Sequence, residues 1–256
     1  MSECVAVTSF SPAGWTDYAE EGVRSFCENW PGRVIAYYEK DKPAFTHEKL
    51  TYRNLFDQTE LLSVLSWCER NPVLQGRMPN GKYNYNFNIY KFCRHVFAVS
   101  HAAVGKDGRY VFWLDADVRI KKPVPEEFLL LLFEGDAYTV RLYRGPASHT
   151  ESGFQGFDTS MEINSAFMNI WRELYIEGTV IALPYGFHDC WSYDHMVKFT
   201  RVRAANLTPQ LTAIGPAFKH SSLDEYMTHE KGINKYMDKL IVPKKGEADM
   251  PEVIHA

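Results

Sequence analysis

A run of apolar residues that ends in two aspartates constrains this chain more than any other feature. Residues 110–118 read Tyr-Val-Phe-Trp-Leu-Asp-Ala-Asp-Val, with Asp115 and Asp117 two positions apart. A near-continuous apolar run predicts a strand buried on both faces. Because side chains two positions apart share one face of an extended chain, both carboxylates can reach one hard cation such as Mg²⁺ or Mn²⁺. The alternative is a strand-end turn in which the aspartates are turn or cap residues.

The composition is that of an ordinary globular protein. The length of 256 residues predicts one α/β domain with a sizeable core. Apolar residues make up 45% and charged residues 23%, and the net charge of -4 gives no sign of a basic nucleic-acid-binding domain. Aromatic residues make up 14%, which suits a deep core and also pockets that stack on bases or sugars.

The five cysteines are scattered and form no C-x-x-C pair, so a zinc site is not expected. They are predicted to be reduced and mostly buried. No apolar run reaches 18 residues, and the N-terminus enters a strand-like segment without the features of a signal peptide. We therefore expect a cytoplasmic protein without a membrane span or an obligate protein partner.

The N-terminal part reads as a strand, a helix and a second strand. Strands are predicted over Cys4–Phe10 and Val34–Tyr38, with a helix over 16–30 between them. This order is typical of a parallel sheet, whose ligands bind at the carboxyl ends of the strands. The segments 8–14 and 39–41 lie at such ends.

The rest of the sequence predicts further helices and strands from the spacing of its apolar residues. Residues 76–81 read as a loop and 201–219 as irregular chain with short strands. Gly153 and Gly156 stand among aromatic residues, which predicts close backbone approach or a bulge. Helices are predicted over 48–70, 87–103, 126–133 and 161–177, and a strand over 137–142.

A polar cluster at 188–194 reads His-Asp-Cys-Trp-Ser-Tyr-Asp. Two carboxylates, a histidine and two aromatic residues within this stretch suit acid–base chemistry or substrate binding. They suit equally a structural turn with a helix N-cap at Asp189.

Several of these segments together resemble the nucleotide-sugar glycosyltransferases of the GT-A fold. Leu-Asp-Ala-Asp at 114–117 is similar to the D-x-D motif that holds a divalent cation on the donor diphosphate. His229, Gly232 and Lys235 match the H-x-x-G-x-x-K pattern that ends several of these enzymes. In that pattern the histidine is the third metal ligand, the glycine lets the backbone approach the diphosphate, and the lysine binds a phosphate.

The resemblance implies a Rossmann-type α/β fold with a mixed, mainly parallel sheet flanked by helices in one domain. It implies a nucleotide-sugar-binding half at about 1–120 and an acceptor half at about 121–242, with a flexible tail over 243–256. The implied metal ligands for Mn²⁺ or Mg²⁺ are Asp115, Asp117 and His229. His220 rivals His229, because residues 223–229 also fit a helix, whereas the histidine of the family usually follows a strand.

The implied reaction moves a hexosyl or pentosyl group from a nucleoside diphosphate sugar, with UDP favoured over GDP, to an acceptor hydroxyl. An inverting reaction needs a carboxylate base, for which Asp189 comes first, then Glu151 and Asp194. A retaining reaction needs no such base, and Asp189 then only positions the acceptor. The implied donor contacts are Thr8, Ser9, Phe10, Glu39, Lys91, Arg94, Asp115, Gly232 and Lys235. Lys91 and Arg94 belong equally well to a solvated helix face.

The resemblance leaves the acceptor open. Some bacterial and phage proteins of this general type glycosylate hydroxymethylated pyrimidines in DNA, and such an enzyme would work in a host cytoplasm. The residues that would then contact phosphates are Lys121, Lys122, Arg141, Arg144, Arg201 and Arg203. A saccharide or a protein side chain is an equally good acceptor.

Two other classes of protein compete with this interpretation. A metal-dependent nucleotidyl- or phosphotransferase also uses paired aspartates, but the sequence has neither G-x-x-x-x-G-K-[ST] nor G-x-G-x-x-G. A non-catalytic nucleotide-sugar-binding module need not keep Asp115, Asp117 and His229, and all three are present.

Overall fold

A central sheet of seven strands organises the residues that the computed structural model describes, namely 2–145, 148–184, 186–211 and 216–229. The strands are β1 (Cys4–Phe10), β2 (Val34–Tyr38), β3 (Leu50–Asn54), β4 (Gln75–Arg77), β5 (Tyr83–Asn88), β6 (Tyr110–Leu114), β7 (Val118–Ile120), β8 (Thr139–Tyr143), β9 (Thr150–Asp158), β10 (Ala204–Asn206) and β11 (Met227–His229).

The helices flank this sheet. They are α1 (Pro12–Gly14), α2 (Glu20–Asn29), α3 (Thr59–Arg70), α4 (Ile89–Val104), α5 (Glu126–Leu131), α6 (Ile163–Ile176) and α7 (Asp189–Thr200). A π-helical turn, Trp15–Ala19, joins α1 to α2. Shorter 3-10 turns cover Leu55–Asp57, Pro72–Leu74, Thr179–Ala182, Ala217–His220 and Ser222–Glu225.

The sheet is mixed and mainly parallel, as predicted. Its strand order is β10-β8-β9-β6-β1-β2-β3. The neighbours β6, β1, β2 and β3 are parallel, and so are β10 and β8, whereas β9 is antiparallel to both β6 and β8. Two further antiparallel pairs, β4 with β5 and β7 with β11, stand outside the sheet.

Strand β6 is buried along its whole length because its two faces meet two separate apolar layers. Val111 and Trp113 face a layer that includes residues of α3, α4 and α6. Phe112 and Leu114 face a second layer that includes residues of α2 and α5. Full burial of such side chains stabilises the fold by roughly 1.5–3 kcal/mol each. The continuous apolar run of the sequence thus fixes β6 in the middle of the sheet.

The structure corrects three of the predicted elements. The helix predicted over 48–70 begins only at Thr59, because residues 50–54 form β3 in parallel register with β2. The N-terminal helical segment starts earlier than residue 16, since the Ser11 side chain accepts a hydrogen bond from the Gly14 amide and starts a helix at Pro12. Of the loop predicted at 76–81, residues 76 and 77 belong to β4, and residues 78–81 lie in the turn that joins β4 to β5.

The five cysteines are buried free thiols, which agrees with the expected burial. Burial raises the pKa of Cys27 to about 11 and that of Cys93 to about 12, so these thiols stay protonated at neutral pH. Within the described ranges, no helix is both long and apolar enough to cross a membrane.

Gly22 lets α2 approach the turn that carries the two aspartates. A Cβ atom at this position would lie 2.2 Å from the carbonyl oxygen of Ala116. Gly22→Ala is therefore expected to lower the free energy of unfolding by about 1–3 kcal/mol, although alanine is the better helix former. Urea denaturation measures this change. Glu28→Ala, at an exposed position of the same helix, is the control and should be neutral or stabilising; equal stability of the two variants would contradict the prediction.

Candidate active site

The turn after β6 holds the two aspartates in place through its backbone. The Asp115 amide donates to the Gly153 carbonyl at 3.1 Å, and the Asp115 carbonyl accepts from the Val118 amide at 2.9 Å. The Trp113 indole donates to Asp115 Oδ1 at 2.9 Å. Since this bond occupies Oδ1, Asp115 can offer Oδ2 to another partner. Both aspartates are partly accessible, with side-chain exposures of 27% for Asp115 and 15% for Asp117.

Strand β11 brings His229 to these carboxylates. It pairs antiparallel with β7, and the register places His229 opposite Val118, the residue after Asp117. His229 Nε2 lies 3.1 Å from Asp117 Oδ1 and 3.5 Å from Asp115 Oδ2. Ligand atoms of all three residues lie within 4.8 Å of one another. Two carboxylate oxygens and one imidazole nitrogen at this spacing fit a divalent cation such as Mn²⁺ or Mg²⁺.

The other side of the His229 ring faces a buried carboxylate. His229 Nδ1 lies 3.7 Å from Glu151 Oε1, and the Glu151 side chain is only 2% exposed. The Arg144 guanidinium donates to the second oxygen of Glu151. A carboxylate behind the distal nitrogen of a histidine is the usual way in which a metal-binding imidazole is oriented.

Gly153 gives the His229 ring its space. A Cβ atom on Gly153 would lie 2.4 Å from His229 Cε1, and one on Gly156 would lie 2.9 Å from the Phe112 ring. The two glycines of β9 therefore allow close approach, as predicted, and the partner strand β8 carries an irregularity of register between Arg141 and Leu142.

His220, the rival third ligand, is exposed in the 3-10 turn Ala217–His220. The segment 223–229 is not one helix, because a short 3-10 turn gives way to β11. Gly232 and Lys235 lie outside the described residues, as does the predicted tail over 243–256.

Two residues near the aspartate turn were missed by sequence reasoning. Arg119 donates to the carbonyls of Ala116 and Val118, and also to that of Tyr18 at 2.7 Å. Burial and the negative charges of Asp117 and Asp115 raise the pKa of Tyr18 to about 12. The Tyr18 phenol therefore stays protonated beside the carboxylates. No local pattern links Arg119 to a turn three residues earlier or to a tyrosine a hundred residues away.

The predicted donor residues of β1 lie at the same edge of the sheet as Asp115, since Val7 is in register with Trp113. Thr8 is buried, and its hydroxyl has no hydrogen-bond partner among the described residues. Ser9 is half-buried. The Phe10 ring contacts Trp15, with centroids 4.8 Å apart.

Arg94 on α4 and Glu39 after β2, which are both predicted to contact the donor, form an ion pair with each other. Arg94 Nε donates to Glu39 Oε1 at 2.9 Å, and the Arg94 guanidinium lies over the Tyr90 ring at 4.3 Å. The Glu39 carboxylate therefore neutralises the charge of Arg94. Lys91 is exposed and lies over the Tyr85 ring, with Nζ 4.6 Å from its centroid.

Asp189 sits between two histidines at the start of α7. Its oxygens lie 2.7 Å from His188 Nδ1 and 2.6 Å from His95 Nδ1. Although burial by itself raises the pKa of Asp189, His188 and His95 hold it well below its usual range. The predicted N-cap at Asp189 is wrong by one residue, because His188 occupies the N-cap position, and the Cys190 amide donates to Asp189 Oδ1 at 2.8 Å.

The third candidate base, Asp194, is occupied by three donors. Arg141 Nη1 lies 2.7 Å from Asp194 Oδ1, the Thr150 hydroxyl donates to the same oxygen at 2.5 Å, and the Thr150 amide donates to Oδ2 at 2.8 Å. These bonds tie α7 to the beginning of β9.

Comparison with known proteins places the fold. No protein-family model matches the chain, and no curated protein matches it by sequence. Among solved structures, the glycosyltransferase GlyE of Streptococcus pneumoniae TIGR4 gives a TM-score of 0.50 at 12% identity, over 95% of this chain and 58% of GlyE. The fold is GT-A-like. This result confirms the fold class that the residues predicted and, at the level of the fold, the resemblance to GT-A glycosyltransferases.

Two further similar structures are also glycosyltransferases. Mouse xyloside xylosyltransferase 1, in its apo form, gives a TM-score of 0.49 at 11% identity, over 79% of this chain and 84% of that protein. A glycosyltransferase involved in the glycosylation of the major capsid of PBCV-1 gives 0.46 at 14% identity, over 91% of this chain and 95% of that protein.

The His188–Asp189 pair predicts a pH-dependent stability. Although burial by itself lowers the pKa of His188, Cys190 and Asp189 raise it to about 9. The resulting stabilisation is fully present below the ordinary value of 6.5 and is lost as the pH rises through 9. His188→Gln should therefore cost about 2–3 kcal/mol at pH 7 and much less at pH 10, measured by denaturant unfolding.

His149→Gln provides the control for this measurement. Burial lowers the pKa of His149, so this residue is neutral at both pH values and its variant should show a pH-independent difference from the wild type. A His188→Gln difference of the same size at pH 7 and at pH 10 would show that the pair is not charged.

Proposed function

We propose that this protein is a metal-dependent glycosyltransferase that moves a sugar from a nucleoside diphosphate sugar, with UDP favoured over GDP, to an acceptor hydroxyl. The proposal rests on the meeting of Asp115, Asp117 and His229 at the carboxyl ends of the parallel strands in a GT-A-like fold. Open α/β sheets bind their ligands at this edge.

The donor set suits the proposed chemistry. Asp115 and Asp117 offer hard oxygens and His229 a borderline nitrogen, a combination that favours Mn²⁺ over Ca²⁺. A divalent cation held there stabilises the charge that develops on the diphosphate leaving group. Gly232 and Lys235 follow His229 in the sequence, and we assign them to the diphosphate as well.

On the nucleoside side, we assign Thr8, Ser9 and Phe10 to the base and ribose, together with Glu39. The unpaired Thr8 hydroxyl supports this assignment, because a buried polar atom without a partner favours a ligand that supplies one. Of the two α4 cations, Arg94 is already paired with Glu39, which makes its charge less available to a phosphate.

We assign Glu151 to holding His229 rather than to proton abstraction. Its burial and its contact with Arg144 keep it away from an acceptor, while its Oε1 faces His229 Nδ1. With Nδ1 oriented toward Glu151, His229 directs its Nε2 lone pair toward the two aspartates.

We assign Asp189 to holding His188 and His95 in place rather than to proton abstraction. A carboxylate whose pKa is held well below its usual range is a weak base, and both of its oxygens contact histidines. Asp194 is similarly engaged by Arg141 and Thr150. This arrangement favours a reaction that needs no carboxylate base, which is the retaining case.

Between a saccharide and a hydroxymethylated pyrimidine in DNA, the charges favour the saccharide as the acceptor. Arg141 and Arg144, which would contact DNA phosphates, are paired with Asp194 and Glu151. Lys122 is likewise paired, with Glu225 at 2.8 Å. Arg201 and Arg203 are exposed.

A thermal-shift panel tests the donor and the metal. With Mn²⁺, the matching UDP- or GDP-sugar at about 100 times its Kd should raise the Tm by about 5–10 °C, because a ligand of the native state adds roughly 2.7 kcal/mol. Asp117→Ala should remove the Mn²⁺-dependent part of this shift. Asp57→Ala, at an exposed site, is the control and should keep it. No Mn²⁺-dependent shift with any nucleotide sugar would overturn the proposal.

Glu151→Gln tests the role of Glu151. The substitution keeps the shape but weakens the orientation of His229, so we expect the affinity for Mn²⁺ to fall about 10- to 100-fold. Electron paramagnetic resonance of free Mn²⁺ measures this affinity without turnover. Glu162→Gln, at an exposed position before α6, is the matched control. Equal Mn²⁺ affinity in the two variants would mean that Glu151 serves only the fold.

A further inference from the structure

A second concave site lies between the end of β8 and the outer face of α7. It encloses about 400 Å³. Pockets of this size hold small organic ligands and are lined mainly by apolar and aromatic groups with a few polar atoms. Trp191 and Tyr143 supply aromatic surface here, and Arg141, Asp194 and Ser148 supply polar atoms.

The charged groups inside this pocket neutralise each other. The Arg141 guanidinium lies over the Tyr143 ring, 4.3 Å from its centroid, and donates to Asp194 at 2.7 Å. Lys198 also lines the pocket but is exposed, so water and salt screen its charge. The interior therefore suits a neutral polar ligand better than a phosphate or a carboxylate.

Two buried polar atoms in the pocket wall have no hydrogen-bond partner among the described residues. Ser148 is 6% exposed, and its hydroxyl is unpaired. Arg141 Nε is unpaired as well, although the same guanidinium is bound to Asp194. Since buried polar atoms are nearly always paired in native proteins, these two point to a ligand that carries hydroxyl groups.

Strand β9 connects the pocket to the metal cluster. Its first residue, Thr150, donates to Asp194 in the pocket wall at 2.8 Å. The next residue, Glu151, faces His229 at 3.7 Å. Because neighbouring residues of a strand are about 3.3 Å apart and face opposite sides of the sheet, β9 separates the pocket wall from the metal cluster by the thickness of one strand.

We propose that this pocket is the acceptor subsite and that it takes a neutral saccharide ring stacked on Trp191, with hydroxyl groups bonded to Ser148 and Arg141. This inference rests on the proposed glycosyl transfer. In that transfer, an acceptor hydroxyl oxygen bonds to the anomeric carbon, and the bond from that carbon to the diphosphate breaks. The hydroxyl proton leaves with the diphosphate.

Ligand-observed NMR with methyl glycosides of glucose, galactose, mannose and xylose tests the pocket. At least one glycoside should bind the full chain, and Trp191→Ala should weaken it at least tenfold. Phe199→Ala is the matched control, because Phe199 is 62% exposed on the same helix and does not line the pocket. Absence of binding by every glycoside, or equal binding to the two variants, would overturn the proposal.

Ser148→Ala separates a ligand-binding hydroxyl from a structural one. If the hydroxyl awaits a ligand, its removal should weaken glycoside binding about fivefold while the Tm of the free protein stays the same or rises. A lower Tm with unchanged glycoside binding would assign Ser148 to the fold and overturn its role here. Trp191-dependent binding of a hydroxymethylcytosine oligonucleotide, without binding of any glycoside, would also overturn the saccharide proposal.

The test distinguishes this inference from the proposed function. Asp117→Ala should bind the glycoside as the wild type does, because the pocket does not contain the metal cluster. If nucleotide sugars fail to bind but a glycoside binds through Trp191, glycosyl transfer is wrong and the saccharide site stands. If nucleotide sugars bind with Mn²⁺ and no glycoside does, the saccharide pocket alone is wrong.

Discussion

The short antiparallel pairing of β7 with β11 is the interaction on which the candidate site depends. Strand β7 leaves the aspartate turn directly, and β11 ends at His229, so three residue pairs are enough to bring together groups 112 positions apart in sequence. Short strands provide few hydrogen bonds. Their pairing is supported by side chains around it, since Met227, Val118 and Ile120 are buried in the apolar layer that α2 shares.

Charge compensation explains why so many ionisable groups collect around this pairing. The carboxylates at the end of β6 lie beside a buried strand, where an isolated charge is unfavourable. The Trp113 indole bonds to Asp115, and His229 lies against Asp117, while Arg144 compensates Glu151 behind it. Removing Arg144 would leave the charge of the buried Glu151 carboxylate less compensated, which destabilises the fold. The site is therefore tightly coupled to the stability of this region.

Much of the fold could be predicted from the sequence because its central strands have local signals. The apolar runs of β1, β2 and β6 are continuous, and α4 keeps a helical period. Edge elements were predicted less well. Strand β3 is half-exposed and contains Thr51, Arg53 and Asn54, so its sequence has no apolar run, and its hydrogen bonds to β2 decide its structure.

The candidate site could be predicted only as far as its residues lie in short motifs. Asp115, Asp117 and His229 stand in two recognisable patterns, and the structure brings them within ligand distance of one another. The roles of Arg119 and Arg144 could not be found this way, because they arise from contacts across the fold and not from spacing in the chain. His188 and Asp189 were found as a cluster, but only the 2.7 Å contact between their side chains shows that they form an ion pair.

A line of contacts joins the start of α7 to the aspartate turn. Asp189 binds His95, the His95 ring stacks on Trp113 with centroids 4.1 Å apart, and the Trp113 indole donates to Asp115. Asp189 lies on α7, His95 on α4, and Trp113 and Asp115 at the end of β6, so a shift of either carboxylate would disturb the contacts that support the other. In the proposed function, this line of contacts fixes the distance between the donor diphosphate and the acceptor. A glycosyl transfer gains most from such preorganisation when no side chain acts as a strong base, because orientation then supplies much of the rate.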